Sequence, residues 1–262
     1  MKATTDVREE KKAPSRDMLT DYELLSVLFF YPENESDINK IKDVYSYLSI
    51  NLPESTEVMK PFMEFISSST LGEIQELFLR SFDIQAITTL DIGFILFGED
   101  YKRGQLLVHL NMEHREAGNI CHIELSDHMP NVLRLLPKMK DDTLRMEIAT
   151  RLLAPAVVKM LAEFDPEKVE KKDKVYKKHL KTIIDYSTGF RTVYQTLLQV
   201  LLLALKKDFD YEPERIAATD KEEEIPVSSV EESLSCSSCS SGGSSIPDYT
   251  RNIEAEMDIE KF

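Results

Sequence analysis

Between residues 18 and 211, apolar positions recur at intervals of three and four, and no segment alternates with period two. That pattern predicts helices and no convincing strand. Thr20-Asp21-Tyr22-Glu23 has the form of a capping box, with Leu24, Leu25, Leu28 and Phe29 behind it and Pro32 as the stop. Ser36 is placed to cap a second helix, whose stripe is Ile38, Ile41, Tyr45 and Leu48. A third is predicted over 58–67. Thr70-Leu71-Gly72-Glu73 is a second capping box, leading into Ile74, Leu77 and Phe78. The apolar segment 88–97 ends at Gly98, and a helix over 101–117 has Gly118 just past its end. The stripe Met129, Val132, Leu133, Leu136 and Met139 predicts a helix over 127–139. A longer one over 142–164 carries Leu144, Ile148 and Leu152, with a kink or break at Pro155. The charged stretch 167–178 leads to two last helices near 179–186 and 188–207. The fold class is all-α, a single globular bundle of about nine or ten helices.

Charge divides the chain. Residues 212–262 hold 13 acidic and 4 basic side chains, with a Ser-rich run at 233–247. So little apolar surface cannot offset the entropy of ordering, and this acidic Ser/Cys-containing tail is expected to be disordered. Residues 1–17 read as a flexible N-terminus, which leaves 18–211 as the helical domain. The formal net charge of −15 argues against nucleic acid or an anionic membrane as partner, since both are met by clustered positive charge. The N-terminus lacks the apolar core of a secretory signal, and the longest apolar run, 197–205, is too short for a span. No membrane insertion is expected. Three cysteines, Cys121, Cys236 and Cys239, make no disulfide framework, which fits the cytoplasm.

Catalytic templates are missing: no G-x-x-x-x-G-K-[ST], no G-x-G-x-x-G, no H-E-x-x-H, no Glu-x-x-His pair and no G-x-S-x-G. The densest polar constellation is His114, Cys121, His122, Glu124, Asp127 and His128. Such ligand types could hold zinc, but the spacing matches no paired pattern. The plainer reading makes His114 a satisfied histidine at a helix edge and Cys121 a small half-buried residue. Cys236-Ser237-Ser238-Cys239 has C-x-x-C spacing without a second pair. The basic run 168–181 reads as a patch for an acidic partner or as a solvated stretch, and its acidic interruptions favour the second.

The segment 120–136, ICHIELSDHMPNVLRLL, places Glu124, Asp127 and His128 at a loop-to-helix junction before an apolar stripe. Asp127 suits the N-cap, where a carboxylate meets unpaired N–H groups, and Pro130 suits a first turn. His128 falls beside the buried stripe, and Glu124 is left for other work.

Three stretches carry a resemblance. LLSVLFFYP at 24–32 is similar to a helix ending of the form L-L-x-Y-P. LGEIQELFLRSFD at 71–83 is similar to L-Q-x-x-Y-x-x-T-F-D. GEDYKRGQLLVHLNMEHREAGNICHIELSDHMPNVLRLL at 98–136 follows G-D-x-R-x-R-G-Q-x-x-V-x-L-x-x-x-Y-x-x-A-G … E-L-P-D-H-L-P-x-x-L-E-F-L almost position by position. These are motifs of the molybdoenzyme assembly chaperones, and the chain resembles the nitrate reductase delta-subunit (NarJ) type of the TorD/DmsD family. His114, Ser126 and Arg134 stand where that family has tyrosine, proline and glutamate, which suggests a divergent branch.

The resemblance implies a cytoplasmic, all-helical, non-catalytic redox-enzyme maturation chaperone. Its partner would be the N-terminal segment, or twin-arginine-type leader, of a molybdopterin oxidoreductase catalytic subunit. It would hold that apoenzyme for insertion of molybdenum cofactor. No cofactor would be bound stably, and transient contact with the client's molybdopterin guanine dinucleotide is left open, as are the monomer and a dimer by helix exchange. Carried over by motif position, the peptide-binding residues are Tyr31, Asp83, Asp100, Arg103, Glu124, Asp127, His128 and Pro130. Glu124 and Asp127 are expected to face the leader's arginines, and His128 to add pH sensitivity. The competing readings are a helical adaptor that stays in its oxidoreductase complex and a metal-dependent enzyme built on His114, Cys121, His122 and His128.

Overall fold

The computed structural model describes residues 20–84, 86–179 and 189–212. They all lie in one compact unit, within Met1–Thr219. The expectations for 1–17 and for the tail past Glu212 lie outside the described residues.

The described residues form eleven α-helical segments and no strand: α1 (Tyr22–Ser26), α2 (Glu35–Asn51), α3 (Glu54–Ser68), α4 (Leu71–Phe82), α5 (Ile92–Phe97), α6 (Tyr101–Glu116), α7 (Met129–Leu135), α8 (Asp142–Glu147), α9 (Ala154–Glu163), α10 (Pro166–His179) and α11 (Gln195–Phe209). A π-helical turn, Ile148–Leu153, joins α8 to α9 without a break, so there are ten separate rods. The all-α expectation holds. Of the kink or break expected at Pro155, no break occurs; a local distortion does, in the widened turn just before the proline, which carries the helix past a residue with no N–H.

Thr70 and Glu73 make the predicted capping box on α4. Gly98 and Gly118 both take positive φ, as expected of residues just past helix ends. Other caps differ. Asp21, not Thr20, caps α1, and the Thr20 N–H donates instead to Asp208 Oδ2. That helix turns 3-10 at Val27–Phe29, before Pro32 is reached. Asn34, not Ser36, caps α2, with Asp37 returning to the Glu33 and Asn34 N–H groups. The α2 stripe runs through Val44, and Tyr45 lies at its edge. Helix α3 begins before 58 and passes through Pro61. The stretch 167–178 is itself helix α10, and α11 begins later than 188. The helix expected near 179–186 falls, beyond His179, outside the described residues.

Helix α11 is apolar on nearly every side, and Leu197, Leu198, Val200, Leu201, Ala204 and Leu205 are all buried. A helix of that kind belongs at the centre. It packs on α3 and α9, while α1 packs on α7, and α5 on α6 and α9. Just before it, the Tyr194 ring meets Phe62, Phe78 and Phe82 edge-on at 5.2–5.7 Å. Among the described residues, no helix is long and apolar enough to cross a membrane.

Candidate functional site: an acidic, aromatic cavity

The chain from Phe29 to Glu33 leaves the core as an extended turn. Gln75 Nε2 of α4 fixes it by donating to Pro32 O at 2.9 Å. Phe30 and Tyr31 are thereby held about 40% exposed, and the Tyr31 ring stands edge-on to Phe78, 5.8 Å away. Opposite this turn lies the loop between α6 and α7. A cavity of about 530 Å³ opens between them. Phe29, Phe30, Tyr31, Phe78 and Phe82 give it an aromatic wall. Glu33, Asp83, Asp91 and Glu124 supply four carboxylates, and among the described residues its lining holds no Lys or Arg. Glu33, Asp83 and Glu124 are exposed and form no ion pair among the described residues.

Asp91 is different. It joins a half-buried network that fastens the α6–α7 loop to the start of α5. Arg103, from α6, donates from Nε to Asp127 Oδ2 at 2.9 Å and from a terminal nitrogen to Asp91 Oδ2 at 3.0 Å. His128 Nδ1 lies 3.0 Å from Asp91 Oδ1; a carboxylate only accepts, so the ring N–H donates. Backbone bonds run alongside, Ile92 N–H to Asp127 O and Met129 N–H to Leu90 O. The guanidinium also rests over the Phe94 ring, 5.5 Å from its centroid. The His128 hydrogen bond, with charge from His128 and Arg103, outweighs burial and holds the Asp91 carboxyl below its ordinary value. Burial works against the Arg103 charge, but Asp127 and Asp91 overcome it, and its pKa rises.

A second buried cluster shapes the loop from within. His114 Nε2 lies 3.0 Å from Ser126 O, and Asn119 Nδ2 lies 2.9 Å from His114 Nδ1. A carbonyl cannot donate and an amide nitrogen cannot accept, so this imidazole is neutral with its proton on Nε2. The Asn119 amide is oriented independently, because it also donates to Asn131 O and its oxygen accepts from Lys138. Burial pushes the His114 pKa down. Asn131 of α7 donates to the Cys121 and Leu125 carbonyls. With its backbone held from inside, the loop turns Ile120, Ile123 and Leu125 outward; Ile123 is 96% exposed.

Four of the eight expected peptide-binding residues, Tyr31, Asp83, Glu124 and His128, therefore line one cavity. The other four do not. Asp127 is fully buried against Arg103, so the expectation that it faces a leader's arginines is corrected. Nor does it cap α7: the residue before that helix is His128, which makes no side-chain cap bond. The carboxylate is drawn away to the guanidinium across Gly93, where a Cβ would come within 2.6 Å of Asp127 Oδ2. Pro130 is buried in the first turn of α7. Asp100 caps α6 by accepting from Lys102 N–H at 2.8 Å. Arg103 acts behind the wall rather than in it.

Sequence reasoning missed Asp91, Glu33 and, apart from Tyr31, the aromatic wall. Asp91 does precede an apolar run, but that position signals only an ordinary cap, and its side chain makes none. The satisfied-histidine reading of His114 and the half-buried reading of Cys121 agree with the structure. Among the described residues no three His, Cys, Asp or Glu side chains are grouped to hold a metal ion, and both His114 nitrogens are engaged. No family model and no curated protein matches the chain.

Proposed function

We propose that this chain is a non-catalytic assembly chaperone of the cytoplasm, whose cavity grips the N-terminal segment of a molybdopterin oxidoreductase catalytic subunit until that subunit receives its cofactor. One observation carries the reading. Residues singled out by motif in three separate stretches, Tyr31, Asp83, Glu124 and His128, line a single cavity that is aromatic on one side and anionic at its rim. A basic segment with an apolar stretch, the composition of a twin-arginine-type leader, is complementary to both parts.

The arginines of such a segment face Glu124 and Asp83, and its apolar side chains lie on Tyr31, Phe78 and Phe82. Asp127 and Arg103 keep the α6–α7 wall in place. The carboxylate lining does not fit the phosphates of molybdopterin guanine dinucleotide, so transient contact with the client's cofactor has no place in this cavity. Binding that must later release is expected near the micromolar range, about −8 kcal/mol.

Titration calorimetry with a synthetic 20-residue peptide carrying an Arg pair and a Leu-rich stretch tests the reading. The double variant Asp83→Asn, Glu124→Gln should bind at least tenfold more weakly while melting like the parent. Equal affinity would overturn the placement. Dissociation from the matured client distinguishes a chaperone from an adaptor that stays bound.

A further inference from the structure

Helix α6 packs inward on α5 and buries Leu110 and His114. Its outer side is apolar too: Tyr101, Val108 and Met112 are 80%, 59% and 44% exposed. Together with Gly104, Gln105 and Arg115 they fall within an arc of about 100° on a 3.6-residue helix. Gly104 serves nothing inside the fold. A Cβ added there meets nothing within 4 Å, and its φ is ordinary, so alanine would suit the helix better. What an exposed glycine does supply is a low point where a second backbone can come close. Charge sets this face apart as well. The chain holds 47 acidic residues, yet none lies between Asp100 and Glu113. At the two ends of the face, Lys102, Arg115 and Glu116 form no ion pair among the described residues.

We propose that two copies of this chain pair through this face, α6 against α6, antiparallel about a two-fold axis at Val108. The pattern is self-complementary in that direction alone. A two-fold contact sets each residue against the one equally far on the other side of the centre. Val108 then meets its own counterpart, and Gln105 lies beside Met112 of the second copy. The Tyr101 ring receives the Arg115 guanidinium, and Lys102 stands opposite Glu116. Parallel pairing would instead set Lys102 on Lys102 and Arg115 on Arg115, with the helix dipoles aligned. A second copy carries the same formal charge of −15, and the stretch without carboxylates is where two such bodies repel least. The face is 16 residues long, about 24 Å. One helix face of that length covers less than the roughly 800 Å² per partner of a standard interface, so the dimer is a weak one, in the micromolar range.

Sedimentation equilibrium of the full chain, from about 1 to 200 μM, tests this. The parent should pass from monomer to dimer. Val108→Asp sets two like charges at the axis and should stay monomeric throughout while melting like the parent. Lys102→Glu alone and Glu116→Lys alone should each weaken the dimer, and the two together should restore it. Both exchanges suit the helix dipole, so neither threatens the fold. Gly104→Ala should melt higher than the parent yet dimerise more weakly, opposite signs that a purely structural glycine would not give. A parent that remains monomeric overturns the inference and leaves the face to a different protein. A dimer that persists in Val108→Asp overturns it in favour of another surface or of helix exchange. Failure of the double exchange to restore pairing overturns the antiparallel arrangement. No α6 residue lines the aromatic cavity, so none of these outcomes bears on the proposed function.

Discussion

Arg103 holds two carboxylates that come from different parts of the chain, and one of them, Asp127, is out of contact with water. Removing the guanidinium would leave that charge buried and unpaired, which typically costs about 3–5 kcal/mol. Arg103→Met should lower stability by about 3 kcal/mol, read as the urea midpoint, and adding Asp127→Asn should recover part of it. His114 gives a separate pH signature. Its folded pKa lies below the ordinary histidine value, so as pH falls below about 6.5 the unfolded chain takes up a proton that the native imidazole refuses. Its contribution is complete above that value and is lost as pH drops toward the depressed folded pKa, at up to about 1.4 kcal/mol per unit. Thermal melts between pH 7 and 5 should show this slope, and His114→Gln should flatten it. Asp91 acts in a lower window: its carboxyl is held down, so its contribution is present above the ordinary aspartate value and lost only as pH falls through the folded one. The motif positions of Asp127 and His128 were legible in the sequence. Their partners were not, because Arg103 and Asp91 lie 24 and 37 residues away and no local spacing encodes those bonds.

At the scale of elements, sequence signals worked where both halves of a device are adjacent. The Thr70–Glu73 box is complete within four residues, and Thr70→Ala should cost about 1 kcal/mol in a denaturant titration. Ser36 reads as the cap of α2, yet Asn34, two residues earlier, makes it; both residue types are good N-caps, so preference alone does not rank the two positions. What decided between them was the geometry of the turn that Gln75 pins to α4. Pro61 stands inside α3 with its ring exposed, where it removes a helical N–H and crowds the preceding turn. Pro61→Ala should therefore raise the melting temperature, by about 1–3 kcal/mol of stability. A lower melting temperature would show that the surrounding packing needs the proline. At Pro155 the comparable conflict is relieved by the π turn before it, which explains how Asp142 to Glu163 remains one rod.

On the scale of the whole molecule, the cavity is drawn from residues 29–33, 78–83, 89–91 and 121–131, brought together by helices with no common repeat. Glu33, Asp83 and Glu124, in no ion pair among the described residues, would make the proposed peptide binding sensitive to salt. Screening contracts from about 10 Å at 0.1 M to about 3 Å at 1 M, so the affinity for an Arg-bearing peptide should fall several-fold from 0.05 to 0.5 M NaCl. For the Asp83→Asn, Glu124→Gln variant the same titration should be nearly flat; an equally steep curve would place the attraction elsewhere. Taken alone, the amino-acid order determined the all-helical class, most helix positions, the central apolar segment that became α11, and the positions where an unusual carboxylate or aromatic stood. These depend on periodicity and on neighbours within a few residues, which a linear chain displays directly. Tertiary structure alone decided which carboxylates face solvent and which are neutralised. Asp127 and Glu124 are three residues apart and alike in type, yet one is sealed against Arg103 and the other lines an open cavity. That difference comes from burial and from partners far along the chain, and both exist only once the helices have packed.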